Sequence, residues 1–269
     1  MPLVVCATPI GNLEDVTLRT LRALREADLV LCEDTRRTRI LLDRYAISAR
    51  LSSLHRGNEA SRTAEILPRL ESGDRIALAS DAGLPAVSDP GARLVAAALD
   101  RGIRVTVLPG PSAVETALVA SGLLSDRYLF LGYLPRGEAA RARLWQELGR
   151  WGAPAVAFES PRRLPASLAS LAAADPARRV AVCRELTKRF EEVVRGAATD
   201  VSAHFRHAPK GEITLVIEGK AGGLDAEGAE EAERAVAELV AAGVPRRQAA
   251  GVVARLTGLA RNRLYRAAL

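Results

Sequence analysis

Residues 75–101 read RIALASDAGLPAVSDPGARLVAAALDR, and three kinds of chain follow one another within them. The apolar run RIALAS (75–80) reads as a buried strand. The segment 90–101 spaces its apolar residues as a helix does. Between them, SDAGLPAVSDPG (80–91) holds two aspartates, two glycines and two prolines. Such a loop buries little, and its prolines and glycines shape the backbone for a close approach to something else.

The same order recurs on either side. LVVCAT (3–8), DLVLCE (28–33) and RVTVL (104–108) read as strands, while 15–27, 35–45 and 58–72 show helical spacing. Strand and helix in alternation predict an α/β sheet with much parallel pairing. After PGPSA (109–113) and a small-residue helix ending near Gly122, the pattern resumes. YLFLGYL (128–134), APAVAFE (153–159), RRVAVCRE (178–185) and EITLVIEG (212–219) are the expected strands of a second α/β domain. Little helix is expected between EVVRG and GEITLVIEG, which predicts antiparallel pairing of those two. The expected division is 1–113, 114–220 and a helical tail, 221–269, reached through the linker KAGGLDAEG (220–228). Helices are expected near 229–242, 245–257 and 259–268.

Composition narrows the class. In 269 residues and 28.6 kDa, 48% hydrophobic residues suffice for packed cores. No apolar run approaches the roughly 20 residues that span a bilayer, and MPLVVCATP lacks the basic flank of a secretory signal. The expectation is a cytoplasmic chain with no membrane contact. Cys6, Cys32 and Cys183 lie far apart in apolar runs, a pattern of buried thiols without zinc spacing. Only His55, His204 and His207 would add imidazole ligands, so no metal is expected. Net charge is +6, and its distribution is uneven. Residues 221–243 carry six acids against Arg234, whereas 244–269 carry six arginines and no acid. That reversal, with Tyr265 among the arginines and a Thr-Gly turn, predicts a helix-turn-helix that meets nucleic acid.

In open α/β sheets, ligands sit outside the carboxyl ends of the strands. TPIGNLED (8–15), EDTRRT (33–38), SDAGLPAVSDPG (80–91) and LPGPSA (108–113) all share that address. Neither GxGxxG nor GxxxxGK[ST] nor GxSxG occurs, which excludes a dinucleotide fingerprint, a P-loop and a nucleophile elbow. What remains is a polar small molecule held largely by backbone. Asp81 and Asp89 offer acceptors for ribose hydroxyls or an ammonium group, and Ser112 offers a hydroxyl at a helix start.

The set TPIGNLEDVTLRTLRAL, CEDTRRT, SDAGLPAVSDPG, LPGPSA, FESPRRL, CRELTKRFEE and KGEITLVIEG, in this order, covers nearly the whole chain. It resembles the bacterial small-subunit ribosomal RNA 2′-O-methyltransferases of the tetrapyrrole-methylase fold group. The resemblance implies two α/β domains with a cleft for S-adenosylmethionine between them, plus the small helical module. It implies cofactor contacts from Pro9, Ser80, Asp81, Ala82, Leu84, Ser112 and Ala113, joined by Phe158, Leu186 and Thr214 from the second domain. It further implies 2′-O-methylation of a decoding-centre cytidine, in naked ribosomal RNA or the assembled small subunit, by a homodimer. The chain departs from the family pattern at Leu84, where Thr is usual, and at Arg162, where His is usual.

A ribose hydroxyl is a poor nucleophile at neutral pH, so a base or a cation is expected beside it. Lys188, Glu159 and Asp34 are the candidates for that chemistry, and Asn12, Arg36, Arg37 and Arg184 for holding phosphate or ribose. Arg261, Arg263 and Arg266 are the expected RNA contacts of the tail. Two readings from other classes stay open: a tetrapyrrole-type small-molecule methylase and a non-catalytic ribosome-binding protein.

Overall fold

Short strands, four of them with four residues apolar at almost every position, build the first sheet. In the computed structural model, which describes residues 2–220, 226–257 and 259–267, they are β1 (Leu3–Cys6), β2 (Leu29–Cys32), β3 (Leu51–Ser53), β4 (Ile76–Ala79) and β5 (Val105–Leu108). Their order is β3-β2-β4-β1-β5, and each described pairing is parallel. Parallel strands need crossovers, and helices supply most of them: α1 (Leu18–Glu26), α2 (Thr35–Arg44), α3 (Glu59–Glu71) and α4 (Ala92–Asp100), with α5 (Ala113–Ser121) after β5. Alternate side chains serve opposite faces. Leu3, Val5, Leu31, Ile76 and Leu78 join the cluster of Ile66 and Leu94, while Cys6, Val30, Ala77 and Leu108 join that of Leu24 and Leu42. The strand β3 was not expected; LSS is too short and polar to signal one, and only its pairing with β2 makes it a strand.

The second sheet is β6 (Leu129–Tyr133), β7 (Ala155–Glu159), β8 (Arg179–Arg184), β9 (Glu192–Ala197) and β10 (Ile213–Ile217), in the order β6-β7-β10-β8-β9. Here β6 and β7 run parallel, whereas β7 and β10 run antiparallel. The expected pairing of EVVRG with EITLVIEG does not form: β8 lies between them. The reason is α8 (Ala198–His204), a seven-residue helix whose Ala198 and Val201 enter the core and which prevents a hairpin. So short a helix carries little periodic signal. α6 (Glu138–Gly149) and α7 (Leu164–Ala174) complete this core through Trp145, Leu164 and Leu168.

Three helices follow: α9 (Ala226–Ala241), α10 (Arg246–Thr257) and α11 (Arg261–Ala267). They share a core of Ala229, Val236, Ala250, Val253 and Leu264. Most of the linker read at 220–228, and the glycine of the Thr-Gly turn, lie outside the described residues. The chain divides into two compact units, Met1–Ala120 with Cys183–Glu192, and Ser121–Val182 with Val193–Leu269. Leu186, read from sequence with the second domain, therefore falls in the first unit. All three cysteines are buried, and burial pushes the Cys6 thiol up to about 12. Among the described residues no helix is long and apolar enough to cross a membrane.

Candidate active site

Because β2, β4, β1 and β5 are adjacent and parallel, the loops that follow them emerge side by side. Hydrogen bonds tie these loops to one another. Thr8 exchanges backbone bonds with Gly83 at 2.9 and 3.0 Å, and its hydroxyl donates to the Ser80 carbonyl at 3.0 Å. The Ser80 hydroxyl donates to the Gly83 carbonyl at 2.9 Å. Asp81 reaches the next loop: one oxygen accepts from the Asp34 amide at 3.0 Å and the other lies 3.7 Å from Arg37 Nε. The 8–15 loop is held in turn by the Thr187 hydroxyl, which accepts from the Asn12 amide at 3.0 Å. A Cβ on Gly11 would stand 2.5 Å from Lys188 Cγ and 2.9 Å from the Leu186 carbonyl, so only glycine permits this approach.

Strain concentrates here. Among the described residues five non-glycines have positive φ, and four of them are Ala86, Ser88, Glu185 and Thr187. Each such conformation costs on the order of 1–3 kcal/mol and persists only where the surroundings impose it. Arg56 donates to the Ser88 carbonyl at 2.9 Å, and Glu59 accepts from the Gly91 and Arg93 amides at 2.8 and 3.1 Å. The 80–91 loop is thus pinned along its length. Asp89 stands in it with its carboxyl raised to about 6, first by burial and then by Glu33 and Asp81, against the opposing pull of Arg56.

Among the described residues no three His, Cys, Asp or Glu side chains gather as a metal site would need, and a backbone cradle of this kind suits an uncharged or cationic polar ligand. Comparison with known proteins bears on which ligand. The family model "Tetrapyrrole (Corrin/Porphyrin) Methylases" matches residues 2–202, and "RsmI C-terminal HTH domain" matches residues 226–269. The Ribosomal RNA small subunit methyltransferase I of Mesorhizobium japonicum is 45% identical over 269 residues, covering 98% of this chain and 90% of that protein. The chain belongs to the ribosomal RNA small subunit methyltransferase I family. The member from Synechocystis is 40% identical, with 99% of this chain and 97% of that protein covered. Solved structures share the fold at low identity. Cobalt precorrin-4 methyltransferase matches with a TM-score of 0.61 at 17% identity, over 80% of this chain and 94% of that one. Uroporphyrin-III C-methyl transferase from Thermus thermophilus, complexed with S-adenyl homocysteine, matches with a TM-score of 0.57 at 17% identity, over 80% and 96%.

For a methyltransferase of this family, the residues singled out in the sequence fall into distinct environments. Pro9 and Ser80 are buried beneath the loops, while Asp81, Ala82, Ser112 and Ala113 are half-buried. Ser112 donates its hydroxyl to Glu115 and offers its carbonyl to Thr116. Leu84 packs against the core cluster of Leu3 and Leu78. Phe158 and Thr214 are paired across β7 and β10 in the second unit, where Phe158 meets the rings of Phe130 and Tyr133 edge-on at 5.2 and 5.6 Å.

The three candidates for the chemistry separate clearly. Glu159 has a fully buried side chain, with Arg163 at 2.5 Å, the Ser167 hydroxyl at 2.6 Å and the Ser160 amide at 2.7 Å. Every donor it needs is present, an arrangement that suits a structural ion pair. Asp34 caps α2 and holds the Arg36 side chain at 2.7 and 3.0 Å, which lowers its carboxyl to about 2. A carboxyl held this low is a weaker base than an ordinary aspartate. Lys188 has its ammonium 2.9 Å from Glu185 and its stem beside Gly11. Thr187 and Gly11, not singled out from sequence, are the residues that lock this arrangement; the positive φ of Thr187 is invisible in a string of letters.

The RNA candidates also divide. Arg36 is exposed beside Asp34, and Arg184 pairs with Glu192 at 2.9 Å. In the tail Arg263 pairs with Glu233 at 2.8 Å, Arg261 donates to the Arg247 carbonyl at 3.2 Å, and Arg246 lies over the Tyr265 ring at 5.9 Å. Part of the acid-to-base reversal along the sequence is therefore neutralised within the module.

Proposed function

We propose that this chain uses S-adenosylmethionine to methylate the ribose 2′-oxygen of a decoding-centre cytidine in small-subunit ribosomal RNA. The observation that carries the reading is the row of cross-linked, strained loops at one edge of the parallel sheet, in a chain of this family. The cofactor supplies a methyl group on a sulfonium, a good leaving group in an in-line displacement. The protein's share is alignment: a rigid wall holds the donor, so the hydroxyl meets the methyl with little entropy left to lose. Ser80, Asp81, Ala82, Ser112 and Leu186 of the first unit line that wall, and Phe158 and Thr214 are further contacts inferred from the resemblance. Lys188 is the cation we assign beside the attacking oxygen, where it lowers the cost of the developing oxyanion. Asn12 and Arg37 hold the flanking phosphate or ribose, and the tail supplies charge for the rest of the RNA. The acting species is a homodimer working on ribosomal RNA in the cytoplasm.

The test supplies methyl-labelled S-adenosylmethionine with naked ribosomal RNA, assembled small subunits and a tetrapyrrole acceptor in parallel. The expected result is label on RNA at a linkage that resists alkaline cleavage, because a methylated 2′-oxygen cannot attack its phosphate. Label on a base would refute the ribose assignment. Transfer to the tetrapyrrole alone would make the chain a small-molecule methylase, and no transfer at all a binding protein. Light scattering should return twice the 28.6 kDa chain mass.

A further inference from the structure

On the sheet face that α1 covers, the strands present Val4, Ala77 and Leu108, and the helix presents Ala23 and Ala27. Elsewhere in this layer Leu21 and Leu24 fill the space between helix and sheet. Where alanines replace them the packing leaves a cavity of about 120 Å³ with an apolar floor. For scale, an engineered apolar cavity of about 150 Å³ binds benzene. A single flat ring fits this space.

The rim is of a different character. Arg19, Arg22, Glu26 and Arg75 surround the floor. Asp28 anchors Arg75 at 3.4 Å and offsets its charge. Among the described residues neither Arg19 nor Arg22 has an ion-pair partner, so both remain available to an anion. Arginines on a solvated helix face are ordinary; arginines over an open apolar recess are not. A ring below and a phosphate above describe a nucleotide.

We propose that this recess takes a nucleotide of the RNA substrate, its base on the alanine floor and its phosphate on Arg19 and Arg22. The proposal rests on RNA being the substrate. Glu26 and Ala27 end α1 and Arg75 precedes β4, whereas Arg19 lies in the first turn of α1 and Leu108 ends β5, so the recess runs along the helix from one edge of the strands to the other. Four residues of strand separate the two edges by about 13 Å. Glu26 accepts hydrogen bonds only, which favours a base with an exocyclic amine (cytosine, adenine or guanine) over uracil.

The test uses the full chain with cytidine and uridine 5′-monophosphates as probes, and small subunits as the RNA source. Cytidine monophosphate should bind more tightly than uridine monophosphate in calorimetry. Ala23→Phe, which fills the recess, and Arg19→Ala with Arg22→Ala, which empties its rim, should each weaken that binding roughly tenfold or more. The double arginine variant should also flatten the log–log salt dependence of RNA binding by about 1.4. Glu26→Gln should narrow the preference between the two probes. Both recess variants should raise KM for subunits at unchanged kcat and unchanged S-adenosylmethionine affinity. The arginines and Glu26 are exposed, so those variants keep the test valid if Ala23→Phe melts early. Equal probe binding in wild type and the arginine variant overturns the proposal. So does lost probe binding with unchanged KM, which would make the recess a site for free nucleotides. A change of assembly mass in Ala23→Phe would give the recess to a second copy and also overturn it. Wild-type protein that binds cytidine monophosphate yet methylates no RNA would sink the methylation reading while leaving the recess a nucleotide site.

Discussion

The two sheets of this molecule have five strands each, yet only the first lays its loops out in a row. In it every described pairing is parallel, so all carboxyl ends share one edge and neighbouring loops can bond to one another. The second sheet turns β10 against β7, which sends successive loops to opposite edges. Its buried polar groups serve packing instead, as Glu159 and Arg163 do. The difference teaches that direction of pairing, more than loop composition, decides where a backbone-built ligand site can form.

That contrast can be broken most forcefully at Glu159. Glu159→Ala would leave Arg163 half-buried without its carboxylate and should cost about 3–5 kcal/mol of stability in chemical denaturation. A variant that unfolds normally but no longer transfers methyl would return Glu159 to the chemistry. In the first sheet the corresponding change should spare the fold and strike the ligand. Asp81→Ala removes the acceptor shared by the Asp34 amide and Arg37, so two loops part. S-adenosylmethionine affinity should fall by roughly one to two orders of magnitude, the worth of a charge-assisted bond. Unchanged calorimetric affinity would show that the loop links are incidental.

A smaller effect is expected from the helical module, which relies on charge where the loops rely on geometry. Replacing Arg261, Arg263 and Arg266 with Ala should weaken RNA binding and flatten its salt slope by about 1.4 to 2.1. The lower figure applies if Arg263 stays with Glu233, as the 2.8 Å pair suggests. Cofactor affinity should not move, and a slope identical to wild type would leave the module a packing role.

The smallest effect is a dependence on pH. Folded Asp89 keeps its proton up to about pH 6, whereas the unfolded chain releases it near the ordinary value of 3.8. The folded state therefore binds more protons in that interval, and stability should fall as pH rises from about 4 to 6. Asp34, lowered to about 2, works in the opposite sense and gives up stability as pH falls from 3.8 towards 2. Asp89→Asn should remove the first slope and raise the melting temperature at neutral pH. A melting profile between pH 4 and 6 that matches wild type would refute this account of the strained loop.

Much of the architecture was legible because it rests on local periodicity. Runs such as RIALA and LVLC, apolar at nearly every position, signal strands buried on both faces, and α1, α2 and α4 follow from apolar spacing. The tail's three helices and its shared core follow from the same rule. The polar loops could be placed at strand ends, and their residues matched to a family, by composition and order alone. What the letters could not carry was where a side chain turns and which segments come together around it. Whether Glu159 meets solvent depends on Arg163, Ser160 and Ser167 closing around it. Whether Asp34 is a base depends on the Arg36 guanidinium turning back on it. Gly11 became informative only when Leu186 to Lys188 arrived beside it, a meeting marked by the bond between Asn12 and Thr187, which lie 175 residues apart. The cavity under Arg19 and Arg22 likewise exists only because alanines from α1 and β4 meet. Periodicity is a property of neighbours in sequence, whereas solvation, strain and voids are properties of neighbours in space, and only folding decides which residues those are.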